Sequence, residues 1–130
     1  MSATFLSDDW FRMLDEHVAQ AGDLAIAPAL QTLVLNLCVT EAGDGANTDI
    51  RLDGGLIRKG HVPDALAKMT MPAATARRIL MKWDQAAGMS AMLGGKMTVE
   101  GNRMKLMALQ TTRLSPQHKQ VLADVDAKTT

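Results

Sequence analysis

The stretch TDIRLDGGLIRKG, residues 48–60, alternates apolar and polar side chains on either side of a Gly-Gly pair. A period of two places Ile50 and Leu52 on one face and Asp49, Arg51 and Asp53 on the other. Two adjacent glycines suit a tight turn whose central residues need positive φ. The pattern commits the middle of the chain to an antiparallel hairpin, and an isolated hairpin is marginal in water. The rest of the chain must therefore supply neighbouring strands and a layer to cover the apolar face.

Both are legible. TLVLNLCVT, residues 32–40, alternates Leu33, Leu35, Leu37 and Val39 with Thr32, Val34, Asn36 and Cys38, as a half-buried strand does. Residues 42–46 read as a turn into the hairpin. A short strand AKMTM (67–71) follows the loop HVPDA, and KMTVE (96–100) supplies a fifth. The first four strands read as a succession of hairpins. Helical spacing takes over elsewhere. Ser7 is a good N-cap for a helix to about Ala21, with Asp8 and Asp9 at its positive end and Leu6 and Phe11 as a hydrophobic staple. Pro72 suits the first turn of the next helix, whose apolar face is Ala73, Ala76, Ile79, Leu80 and Trp83. QAAGMSAML (85–93) is short and apolar. Asn102 can cap a last core helix to about Arg113, and Ser115-Pro116 opens a tail helix with a narrow stripe of Val121, Leu122 and Val125. The expected fold class is α+β: a five-stranded, largely antiparallel sheet covered by helices on one face. Residues 1–114 form the domain and 115–130 a helical tail.

Function classes can be narrowed. The 14 basic and 14 acidic residues balance, so no nucleic-acid partner is expected. They are split, however, with nine acidic and two basic residues in 1–53 against five acidic and twelve basic in 54–130. Such a split fits either halves that pack together or a basic face toward an anionic membrane surface, for which Arg77, Arg78 and Lys82 are the candidates. A single cysteine, Cys38, points to a reducing, cytoplasmic setting. The opening residues MSATFLSDDW lack the pattern of a signal peptide. His17, His61 and His118 have no partners at metal-ligand spacing and read as isolated surface or loop histidines. GMSAM, residues 88–92, has methionine where a nucleophile elbow needs its second glycine, and no strand precedes it. No catalytic residue, metal ligand or cofactor site is nominated, and the chain is not expected to be an enzyme.

What remains is methionine. The chain has ten, with Met89, Met92, Met97, Met104 and Met107 close together in sequence. A helix carrying Met104, Leu106, Met107, Ala108 and Leu109 is apolar over more than one stripe and needs covering on two sides. Methionine is flexible and polarizable, so such a cluster suits a surface that repacks around varied apolar shapes.

From Asp53 to Leu114 the chain resembles the sterol carrier protein type-2 family of lipid-binding and lipid-transfer domains. The resemblance rests on Asp53-Gly54-Gly55, Gly60, Pro63-Asp64-Ala65 and Met69-Thr70-Met71. Its most specific part is the run Gly95-Lys96-Met97-Thr98-Val99-Glu100-Gly101-Asn102, after which Met104, Leu106, Met107, Leu109 and Gln110 follow as the family's last core helix does. FLSDDWFRML is similar to the family's first helix. The resemblance implies an apolar tunnel between sheet and helices. Met97, Val99, Met104, Met107 and Gln110 carry over as its wall, with Leu80, Trp83, Met89 and Met92 as the facing apolar candidates. The chain departs from the family at Trp83-Asp84, where a glycine is usual before residues 85–93.

The resemblance implies non-catalytic binding and transfer of an apolar lipid: fatty acid, fatty acyl-CoA, sterol or phospholipid. An apolar void of about 300 Å³ at ~24 cal/mol per Å³ costs about 7 kcal/mol, comparable to a domain's whole stability. Such a tunnel is therefore filled by ligand or collapsed onto its methionines. The alternative is an interaction module of the same fold with a closed core, used for dimerisation or as an accessory to another enzyme, with the tail helix as the candidate contact surface.

Overall fold

The computed structural model describes residues 3–40, 47–102, 104 and 112–129, apart from the side chain of Gln85. The 42–46 turn and most of the helix expected after Asn102 fall outside them. The elements, in chain order, are α1 (Asp8–Ala21), α2 (Pro28–Gln31), β1 (Val34–Thr40), β2 (Thr48–Asp53), β3 (Leu56–Lys59), β4 (Ala67–Pro72), α3 (Ala73–Met81), α4 (Gln85–Leu93), β5 (Thr98–Gly101) and α5 (Pro116–Ala127).

The strands form a single five-stranded sheet in the order β3-β2-β1-β4-β5. The hairpin is as the alternation requires. β2 and β3 pair antiparallel with Leu52 opposite Ile57, and the turn between them is Gly54 and Gly55, with φ of 62° and 90°. A methyl group on Gly55 would lie 2.9 Å from Ile26 Cγ2, so the turn needs both the open backbone and the absent side chain. One face of the sheet is buried. Ile57, Leu52, Leu35 and Ala67 line up across four strands, as do Ile50, Leu37, Met69 and Val99. Each large aliphatic side chain so buried contributes about 1.5–3 kcal/mol. The opposite face carries Asn36, Arg51, Arg58, Lys68 and Glu100.

The expected succession of hairpins breaks at β4. It pairs parallel with β1, Leu35 opposite Ala67 and Val39 opposite Met71, so residues 60–66 cross two strands. They pass over the polar face, where the Asn36 side chain donates to Val62 C=O (2.8 Å) and accepts from Val62 N–H (3.0 Å). His61 Nε2 sits 2.9 Å from Leu37 C=O. Alternation reports which face a strand buries and is silent on its neighbour. The sheet is accordingly mixed, with three antiparallel pairs and one parallel pair.

α1 begins as its sequence demands. Ser7 Oγ accepts from Trp10 N–H (3.1 Å), Leu6 and Phe11 are both buried, and Gly22 ends the helix at φ 72°. Trp10 is wholly buried and packs edge-on against Phe5 and Phe11. Its Nε1–H donates to Thr129 Oγ1 (3.0 Å), which in turn donates to Val125 C=O (2.6 Å). The tail helix is therefore docked. Ala3 and Thr129 form a parallel bridge, Ala3 N–H donates to Lys128 C=O (2.8 Å), and Leu122 and Val125 join the same core as the sheet.

Candidate functional site

Sequence and resemblance together point to the corner where α3, α4 and β5 meet. α3 is amphipathic and turns Ala76 and Leu80 fully inward, with Ile79 and Ala73 at the margin. α4 then starts on Asp84, whose carboxylate accepts from Ala87 N–H (3.0 Å). That N–H, with the Arg78 guanidinium 3.2 Å away, holds the Asp84 carboxyl below the usual carboxylate range. At the other end of α4 the chain turns through Gly94 and Gly95. There Lys96 N–H (2.8 Å) and Met97 N–H (3.2 Å) both donate to Ala91 C=O, which fastens the end of α4 to the start of β5.

β5 is placed by its last residue. Gly101 has φ 112°, and a methyl group on it would lie 2.8 Å from Leu66 C=O and 2.9 Å from Ala67 Cα. Only glycine lets β5 approach β4 this closely, and the approach sets Met97 and Val99 beneath the helices.

Of the nine residues nominated for the ligand, Leu80, Met97 and Val99 are buried in one continuous apolar core, and Trp83 packs against its edge. Met89 and Met92 stand on the outer side of α4, 39% and 43% exposed, and Met104 is 83% exposed. Met107 and Gln110 lie outside the described residues. Trp83 has φ of +50°, the left-handed region that favours glycine, within the pair Trp83-Asp84 where the resemblance expects a glycine. Its indole is held there by an Nε1–H bond to Thr112 C=O (3.0 Å).

The basic residues of α3 are largely committed within the chain. Arg77 Nε donates to the Asp126 carboxylate (2.8 Å), and its Nη2 donates to the carbonyls of Asp126 (3.1 Å) and Thr129 (2.9 Å). It clamps the end of α5 and is not a free surface cation. Arg78 pairs with Asp84, leaving Lys82 exposed. A charge-lined groove of about 500 Å³ lies elsewhere, between α1 and β3, among Asp8, Phe11, Arg12, Asp15, Arg58 and Lys59. Lys59 bonds Asp8 there, holding that carboxyl below its ordinary value, and its ammonium lies 5.3 Å from the centre of the Phe11 ring.

Sequence reasoning missed two further features. His118 is not a surface histidine. It is 2% exposed, faces Gly55, and neither ring nitrogen makes a hydrogen bond. Burial pushes its pKa down, offset in part by the nearby backbone of Gly55. Its spacing with Val121, Leu122 and Val125 was the available signal. The second feature is the orientation of α4, whose low amphipathicity concealed which side would face outward. Among the described residues no three His, Cys, Asp or Glu side chains gather to hold a metal ion, and no helix is long and apolar enough to cross a membrane.

Comparison with solved structures identifies the architecture. The apo sterol carrier protein 2 of Yarrowia lipolytica superposes with a TM-score of 0.54 at 19% identity, covering 97% of this chain and 96% of that one. The sterol carrier protein domain 2 of Helicoverpa armigera gives 0.51 at 18% identity, over 92% of this chain and 95% of that one. A sterol carrier protein-2 like-3 from Aedes aegypti gives 0.52 at 18%, over 79% and 92%. No protein-family model and no curated protein matches the chain. The chain has the sterol carrier protein 2 fold.

Proposed function

We propose that this chain binds and carries an apolar lipid without altering it, in a tunnel between the sheet and the α3–α4 layer. The observation that carries the reading is the corner itself. Leu80, Met97 and Val99 lie in one buried apolar core with Trp83 packed against it, and the neighbouring α4, which carries Met89 and Met92, has no charged residue. Long-chain ligands need no more than this, since burial of apolar surface at about 25 cal/mol per Å² holds an acyl chain with few polar contacts. The solved structures that share the fold include proteins described as sterol carriers, which supports a lipid as the cargo. Fatty acid, fatty acyl-CoA, sterol and phospholipid are the candidate classes, Met104, Met107 and Gln110 complete the wall in this reading, and no step is catalytic.

The test is direct titration with a dansyl-labelled fatty acid, followed by displacement with unlabelled oleate and with cholesterol. The wild-type chain should bind at micromolar concentration or below. Val99→Phe, which adds volume on the sheet floor, should weaken binding roughly 10-fold while leaving the circular dichroism unchanged. Failure of the folded wild type to bind either ligand class would favour the closed-core interaction module. Equal binding by Val99→Phe would remove the corner as the site.

A further inference from the structure

α4 is packed the wrong way round for a helix of a self-contained domain. Its inward side is made of small residues: Ala91 is 6% exposed, and the α-carbon of Gly88 faces Ile79 of α3, where an added methyl would lie 3.6 Å from Ile79 Cδ1. Its outward side carries the large ones, with Met89 39%, Met92 43% and Leu93 82% exposed. An ordinary amphipathic helix buries its large apolar residues and turns polar ones to water. Here Met89, Met92 and Leu93 share one side of the helix at i, i+3 and i+4 spacing, and Gln85 and Ser90 are the only polar residues of the nine.

Charge says what the face meets. Lys82 precedes the helix and Lys96 follows it. Both are exposed, and neither forms an ion pair among the described residues. Asp84, which lies between them in sequence, is occupied by the Ala87 N–H and Arg78. An apolar ridge with an exposed lysine before it and after it in sequence, neither ion-paired among the described residues, is complementary to an anionic bilayer. The apolar side chains enter the acyl boundary and the lysines remain among the headgroups. A second copy of the chain fits less well. A two-fold contact through α4 would bring like charges together, and three side chains fall far short of the ~800 Å² that each partner of a stable dimer buries.

We infer that the outer face of α4, with Met89, Met92 and Leu93 flanked by Lys82 and Lys96, is a docking surface for anionic lipid bilayers. Met89 and Met92 also border the proposed tunnel, so vesicle binding is read separately from uptake of the labelled fatty acid.

Cosedimentation of the full chain with vesicles tests it, using phosphatidylcholine alone and phosphatidylcholine with 30% phosphatidylglycerol. Binding is expected to the anionic vesicles, weakening as salt rises. Met92→Gln with Leu93→Gln exchanges exposed side chains for good helix formers and should reduce partitioning at least 10-fold with unchanged circular dichroism. Lys82→Gln with Lys96→Gln should reduce it roughly 25-fold, at about 5-fold per lysine. Lys68→Gln with Lys119→Gln, the same charge change on other surfaces, should stay within twofold of wild type. Binding unaffected by the Met92 and Leu93 changes would overturn the inference, as would equal losses in both lysine pairs. So would a wild-type chain that ignores vesicles and shows a concentration-dependent mass abolished by the Met92 and Leu93 changes. That outcome would assign the face to a second copy.

Discussion

His118 shows how a single side chain sets a condition on the whole fold. A buried imidazole without a hydrogen bond must be neutral to be tolerated, and burial lowers its pKa. Above about pH 6.5, the ordinary imidazole value, the ring is neutral in both folded and unfolded chains and stability is insensitive to it. Below that value the unfolded chain takes up a proton that the folded one refuses. Stability from this residue should therefore fall as pH drops, by up to ~1.4 kcal/mol per unit, until the folded pKa is reached. Urea midpoints measured from pH 7.5 to 5 should show the decline in wild type and a shallower one in His118→Leu. The variant should also be at least as stable at neutral pH, because it removes two unsatisfied nitrogens. Equal slopes in the two chains would mean that His118 is not the group responsible.

At the scale of elements, the tail helix shows what a narrow apolar stripe leaves out. Val121, Leu122 and Val125 look too few to dock a helix, yet polar contacts complete the attachment: Trp10 to Thr129, the Ser115 hydroxyl to Leu24 C=O, and the three bonds of Arg77. Arg77→Ala should cost about 2–3 kcal/mol in urea unfolding, since charge-assisted bonds contribute more than neutral ones. Arg77→Lys should recover less than half of this, because one ammonium cannot span the Asp126 carboxylate and two carbonyls as the planar fork does. A loss below 0.5 kcal/mol in Arg77→Ala would show that the clamp is incidental. The β4 crossover belongs to the same scale. The sequence marked AKMTM as a strand without its neighbour, and the pairing of Asn36 with Val62 reveals how the chain reaches the far side of β1.

For the whole molecule, legibility followed periodicity. The hairpin, α1 with its cap and staple, and the tail helix were readable because short-range chemistry determines each of them: paired positive-φ glycines, Ser7 with Asp8 and Asp9, and Ser115-Pro116. The candidate site was readable only in part. Burial of Leu80, Met97 and Val99 follows from their spacing, whereas the outward turn of Met89 and Met92 depends on Ala91 and Gly88 packing against α3. That contact is tertiary, and the nearly uniform apolarity of 85–93 gave no hint of it. The position of Trp83 is intermediate. The glycine expected by resemblance within the pair Trp83-Asp84 fits the left-handed backbone of Trp83, and the indole is retained by its bond to Thr112. Both features place a large side chain at the edge of the proposed tunnel.

The central claim is that this apolar corner carries a lipid, and native mass spectrometry of the gently purified chain followed by organic extraction tests it most directly. The account predicts a mass above that of the 130-residue polypeptide, with the excess released as lipid on extraction and restored when the stripped chain meets fatty acid or sterol. A bare polypeptide mass that takes up neither would contradict it, leaving the methionines as core packing alone.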